Sequence, residues 1–179
     1  MRTADVGPTG VERRFGANEV IVSKTDLKGR IKYVNDVFVR VSGYSEADLV
    51  GRPHNVIRHP AMPRSVFALL WSELLAGREV FAYIVNLAAD GAHYWVLAHV
   101  TPSYVDGQVI GYHSNRRLPS PRAVSTVERI YADLLAIEHR HRHPRAAIDA
   151  STAALTDLLA ERGITFEELV LSLATEDLP

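Results

Sequence analysis

The chain has 179 residues, 47 % of them hydrophobic, which is enough to bury one sizeable core with an appendage and too many for a disordered chain. Its 20 basic and 21 acidic residues leave a formal charge of -1, so nothing electrostatic favours a nucleic-acid or acidic-membrane partner. The absence of cysteine excludes disulfides, iron-sulfur clusters and thiolate zinc sites, leaving eight histidines and two methionines as soft metal ligands. No stretch approaches the ~20 apolar residues of a membrane span, so a cytoplasmic protein is expected.

Met1 to Asn18 shows no clear period and reads as a flexible leader or short docking arm. Val20-Ile21-Val22-Ser23 and Arg30-Ile31-Lys32-Tyr33-Val34 are β-branched runs around the turn-like Asp26-Leu27-Lys28-Gly29, which predicts a hairpin. Asn35 is placed to cap a short helix ending at Gly43, and Ser45 with Asp48 forms a shortened capping box for another. Pro63 suits the first position of a longer helix with Val66, Leu70 and Leu74 at a spacing of four and Gly77 as its stop. Three strand-like runs follow, separated by Asp90-Gly91 and Asp106-Gly107, dipeptides that suit tight hairpin turns. The expected fold is α+β: a five-stranded antiparallel sheet with its short helices inserted on one side.

Beyond Arg117, Ser120-Pro121 starts a helix with an apolar stripe of Val124, Val127, Ile130, Leu134 and Ile137, running to about His139. A second helical pattern carries Ile148, Leu155, Leu158 and Leu159 to Gly163, and Thr165 to Glu168 is a capping box for a last short helix. The tract His139-Arg140-His141-Arg142-His143 interleaves arginines that repel a metal cation, and it reads as a solvated helix end.

The segment from about Ile21 to Arg116 resembles a PAS domain of the aerotaxis-receptor type. The resemblance runs through Asn35-Asp36-Val37-Phe38, Ser42-Gly43-Tyr44-Ser45, Pro53-His54-Asn55-Val56-Ile57-Arg58-His59-Pro60, Met62-Pro63, Trp71 and His93-Tyr94-Trp95-Val96, with Arg58-His59-Pro60 its specific part. With the patterns on either side of it, the expected division is a flexible leader over 1–18, a PAS sensor domain over 19–117 and a helical extension, a hairpin or small bundle, over 118–179. It also implies a flavin nucleotide, FAD rather than FMN, held non-covalently and read as redox state or oxygen. Arg58, His59, Trp71 and Asn86 are the flavin contacts it points to, and His113, His54, Asn35 and Trp95 complete the candidate set. Where the family commonly has an acidic residue after His-Pro, this chain has Ala61. Compared with light-sensing flavin PAS domains, His54 stands at the photoreactive cysteine, so no flavin-cysteine adduct can form.

Three other readings stand beside this one. A haem gas sensor would need an axial histidine among His54, His59, His93, His99 and His113. A cofactor-free interaction module would fill its pocket with side chains and act by forming a homodimer. A flavoenzyme is disfavoured, because no nicotinamide fingerprint, catalytic triad or metal-ligand spacing occurs. No output region is recognisable, so the signal is expected to pass to a separate signalling protein.

Overall fold

A computed structural model describes residues 6–175. The expected hairpin is present as β1 (Ile21–Asp26) and β2 (Ile31–Val34), and Asp26 closes its turn by accepting from the N–H groups of Lys28 and Arg30, both at 2.9 Å. Helix α1 (Asp36–Ser42) is capped by the Asn35 side chain and ended by Gly43 in the left-handed region. The Ser45 hydroxyl caps α2 (Glu46–Leu49) through the N–H of Asp48. A single 3-10 turn, His54–Ile57, then leads into α3 (Arg64–Leu75), where Pro63 is the cap rather than the first helical residue.

Three long strands follow: β3 (Val80–Leu87), β4 (His93–Val105) and β5 (Gln108–Arg117). All pairings are antiparallel and the order across the sheet is β2-β1-β5-β4-β3, so the hairpin adds to β5, the last strand of the meander. The Asp106-Gly107 turn has both residues at positive φ, as a tight two-residue loop requires. Both edges of the sheet are engaged. Along β2, Ile31 exchanges backbone hydrogen bonds with Gly51 and Arg52. Along β3, Arg58 forms an isolated bridge to Asn86, and the N–H of Val85 donates to the Met62 sulfur.

Strand alternation divides the side chains between two faces. Ser23, Asn86, Val100, Tyr112, Ser114 and Arg116 share the face turned toward α1–α3, and Tyr83, Trp95 and His113 have the opposite parity. That outer face is not left to solvent. Helices α4 (Pro121–Glu138) and α6 (Phe166–Thr175) cover it: the Tyr131 hydroxyl donates to the Tyr83 carbonyl at 2.7 Å, Tyr131 packs beside Trp95, and the Tyr83 hydroxyl donates to the carbonyl of Val170. Helix α5 (Pro144–Arg162) passes to the other side and packs on α3. The extension therefore wraps around the β3 edge, with one continuous core joining it to the sheet.

The leader differs from the flexible segment that its lack of period suggested. Its residues 1–5 lie outside the described residues, but Thr9 and Arg13 donate backbone hydrogen bonds to Gly91 and His93, and His93 donates to Val11. Arg13 also ion-pairs with Asp90, and Phe15 is buried in the core. One anchoring aromatic and a few hydrogen bonds at fixed points hold such a strap without any periodic signal.

On β5, Gly111 faces β1 so tightly that a Cβ would sit 2.1 Å from the Thr25 carbonyl oxygen. Gly111→Ala is therefore expected to destabilise the fold by about 2 kcal/mol or more, by forcing β1 and β5 apart. Urea unfolding followed by far-UV circular dichroism checks this against Gly107→Ala as a control, which meets nothing within 4 Å and carries only the strain of its positive φ.

Candidate functional site

Between the inner face of the sheet and α3 lies a cavity of about 460 Å³, within the usual range of small-molecule sites. Ile57, Phe67, Leu70, Leu74, Ile84 and Val100 give it apolar walls, and Lys28, Asn55 and Arg64 are exposed where it opens. Trp71 lines it too, held edge-on to Tyr112 with ring centroids 5.6 Å apart and packed against Gly29, where a Cβ would meet the indole at 3.2 Å.

A charged group is buried in the cavity wall: Arg116, 2 % exposed. Its Nη2 donates to the Ser23 hydroxyl and lies 3.3 Å from Nε2 of His54, its Nε donates to Ser114 at 3.1 Å, and its guanidinium stacks 4.6 Å from the Phe38 ring centroid. These partners are all neutral, and Nη1 has none. A guanidinium buried among hydroxyls without an anion is costly, and burial pushes the Arg116 pKa down to about 10. Beside it, burial and then the charge of Arg116 lower His54 to about 3, so the imidazole is neutral near pH 7. The surface His54 retains faces the cavity. Two other buried polar atoms lack a partner: Asn86 Nδ2 in the cavity wall, and the Tyr94 hydroxyl, which sits in the electrostatic range of Arg116 and whose pKa burial raises.

Of the residues predicted as contacts, the structure brings Arg58, His54, Trp71 and Asn86 together around the cavity. Arg58 stacks on Phe67 at 4.4 Å and donates to the Met62 carbonyl at 3.3 Å. The other four lie elsewhere. The His59 ring is 5.9 Å from that of His93, and its Nδ1 accepts from the N–H of Ala61. Asn35 spans β1 and α1, its Oδ1 accepting from Val22 and Phe38 and its Nδ2 donating to Val20. Trp95 and His113 have the wrong strand parity: one packs on Tyr131, and the other is 3.0 Å from Asn115 Oδ1. Among the five histidines weighed as axial haem ligands, only His54 lines the cavity. Sequence reasoning missed Arg116, Ser23, Ser114 and Tyr112. Alternation along β5 from Tyr112 was the available signal, since it puts Ser114 and Arg116 on the same face.

Comparison with known proteins agrees with this architecture. Residues 31–116 match the family described as the PAS fold. Over 114 residues the chain is 40 % identical to the aerotaxis receptor of Escherichia coli, a match covering 64 % of this chain and 22 % of that protein. Residues 31–116 form a PAS domain. The chain thus spans about a fifth of the receptor that its PAS domain resembles. It is also 32 % identical over 83 residues to the nitrogen fixation regulatory protein of Klebsiella pneumoniae, covering 46 % of this chain and 17 % of that one. A light-oxygen-voltage domain, solved in work on its mechanism with a flavin analogue, shares the PAS fold at a TM-score of 0.55 and 16 % identity, covering 64 % of this chain and 86 % of that chain. Among the described residues no helix is long and apolar enough to cross a membrane.

The neutral state of His54 has a measurable consequence. The unfolded chain takes up a proton near pH 6.5 and the folded one only near 3, so the stabilisation is full above pH 6.5 and is lost as pH falls from 6.5 toward 3, by up to about 1.4 kcal/mol per pH unit. Urea midpoints of the ligand-free protein at about pH 7.5 and about pH 5 are expected to differ more in the wild type than in His54→Phe, which has no proton to bind. Equal differences would mean that His54 is not held neutral.

Proposed function

We propose that this chain is a sensor whose PAS cavity holds a flavin, FAD by its resemblance to aerotaxis receptors, and that it reports redox state or oxygen to a separate signalling protein. The observation that carries the reading is that two residues of the cavity wall, Arg116 and Asn86, each keep a buried donor without a partner, Nη1 and Nδ2. A flavin ring suits them, because its edge presents carbonyl oxygens and ring nitrogens to such donors and its faces suit the apolar walls and the Trp71 indole. Arg58, nearer the opening, is a cation suited to a phosphate.

When bound, a flavin supplies reversible electron uptake, with negative charge and protons accumulating on its ring. The residues around the cavity are arranged to respond to that change. Arg116 holds a fixed positive charge with no anion to neutralise it, so negative charge arising in the cavity is stabilised there. His54 is neutral beside Arg116 and shares its Nε2 with the Ser23 hydroxyl, which gives a chain able to reorient when the charge changes. Ser23 lies on β1 and Arg116 on β5, so rearranging these contacts acts on the centre of the sheet.

Two observations weigh against the other readings. His54 offers an Nε2 already engaged by Ser23 and next to a guanidinium, a poor setting for binding iron. A cavity of about 460 Å³ is not what a pocket filled with side chains would leave.

The test is an absorbance spectrum of freshly purified protein, then heat release and chromatography of the ligand against FAD, FMN and haem. Flavin bands with released FAD are expected; a Soret band, or protein that stays colourless after incubation with FAD, would sink the proposal. Asn86→Ala is expected to weaken flavin binding about tenfold, the worth of one buried hydrogen bond, and Arg58→Ala to weaken it as well. His59→Ala and His113→Ala, outside the cavity wall, are expected to bind as the wild type does, measured by fluorescence titration.

A further inference from the structure

Helix α3 starts without a side-chain cap of its own, because Pro63 offers none, and its first N–H groups need an acceptor from elsewhere. That acceptor is Glu138, the last residue of α4. One of its carboxylate oxygens accepts from the N–H of Arg64 at 2.7 Å and of Ser65 at 3.2 Å, and the side chain is buried, 6 % exposed. The negative charge suits the positive end of a helix and also faces the partly buried guanidinium of Arg58, offsetting the effect of Arg64 on it. Further along, Ser151 of α5 meets Ser65 hydroxyl to hydroxyl at 2.6 Å, both side chains fully buried. Ile148, on α5 between these two contacts, is itself part of the cavity wall, with Arg58, Arg64 and Phe67.

We propose that the helical extension is a ligand-coupled latch: Glu138 clamps the α4–α5 corner onto the start of α3, and Ile148 thereby closes the cavity over its occupant. The identity of the occupant rests on the flavin reading above, but the clamp does not. An occupant that touches Ile148 gains that contact only while the extension is docked, so occupancy favours docking and docking equally favours occupancy. The wall provided by α5 can leave without unpairing the sheet, since beside its buried Ala147 and Leu155 the clamp is two hydrogen bonds from backbone N–H groups to the Glu138 carboxylate and one hydroxyl pair. Undocking would free α5 and expose the face of α3 it covers, which gives the cavity a direct route to a partner protein.

The full chain is tested as wild type, Glu138→Ala and Ile148→Ala, by the rate at which bound FAD is lost on dilution and by hydrogen exchange of α5 with and without FAD. Both variants are expected to lose FAD about tenfold faster, and FAD to slow exchange across 144–162 in the wild type. Unchanged FAD loss in both variants, or α5 exchange indifferent to FAD, overturns the latch. Ile148→Ala removes only a partly exposed side chain, so it keeps the test valid if Glu138→Ala fails to fold. If the wild type binds no FAD, the flavin reading fails by itself; Glu138→Ala must then still speed exchange in α5 while sparing β1 and β5, and uniform exchange would overturn the clamp as well.

Discussion

A permanent cation buried in a protein core needs a reason, and much of this structure is organised around one. Arg116 reaches its position because β5 pairs on both sides and its alternation turns Tyr112, Ser114 and Arg116 inward together. The surroundings then limit the cost of burying the guanidinium: two serine hydroxyls, a neutral imidazole and the face of Phe38. Each is a weaker partner than a carboxylate, and together they leave Nη1 free and the positive charge uncancelled. A carboxylate in place of Ser23 would stabilise the arginine at the expense of what it can offer a ligand. On the proposed reading, the cavity is a place where local stability is given up for recognition.

The secondary structure was legible in the sequence because each boundary has its own chemistry. Asn35, Ser45, Ser120 and Thr165 each cap a helix through a side-chain oxygen, and Gly43 and Gly163 end helices at positive φ. The hairpin turns at Asp90-Gly91 and Asp106-Gly107 are equally local. What depends on distance was not legible. Nothing near Glu138 in sequence signals that it caps a helix 74 residues earlier, and the leader is held by an aromatic anchor and a few backbone bonds that follow no period.

The site was half legible for a related reason. Arg58, His54 and Trp71 line the cavity because the 3-10 turn, the residue that ends it and α3 bound the space, and Asn86 lines it from β3. His59, His113, Trp95 and Asn35 do not line it. In a strand the alternation is absolute, so Trp95 and His113 are barred from the cavity by parity rather than by distance. Arg116 was overlooked because Asn115-Arg116-Arg117 reads as a polar strand end, and only the inward phase set by Tyr112 separates the buried arginine from its exposed neighbour.

The treatment of the two sheet edges restricts how this protein can meet others. Sheet proteins often recruit partners by letting a foreign strand pair with an open edge. Here the backbone of β2 is engaged by residues 51 and 52, and β3 by the segment around Arg58 and Met62. At these points the edges are already occupied, which interrupts the pairing that open edges invite. On the proposed reading, a partner is met by side chains on helices and loops, a surface that can be remodelled by moving one helix while the sheet and the charge at its centre stay in place.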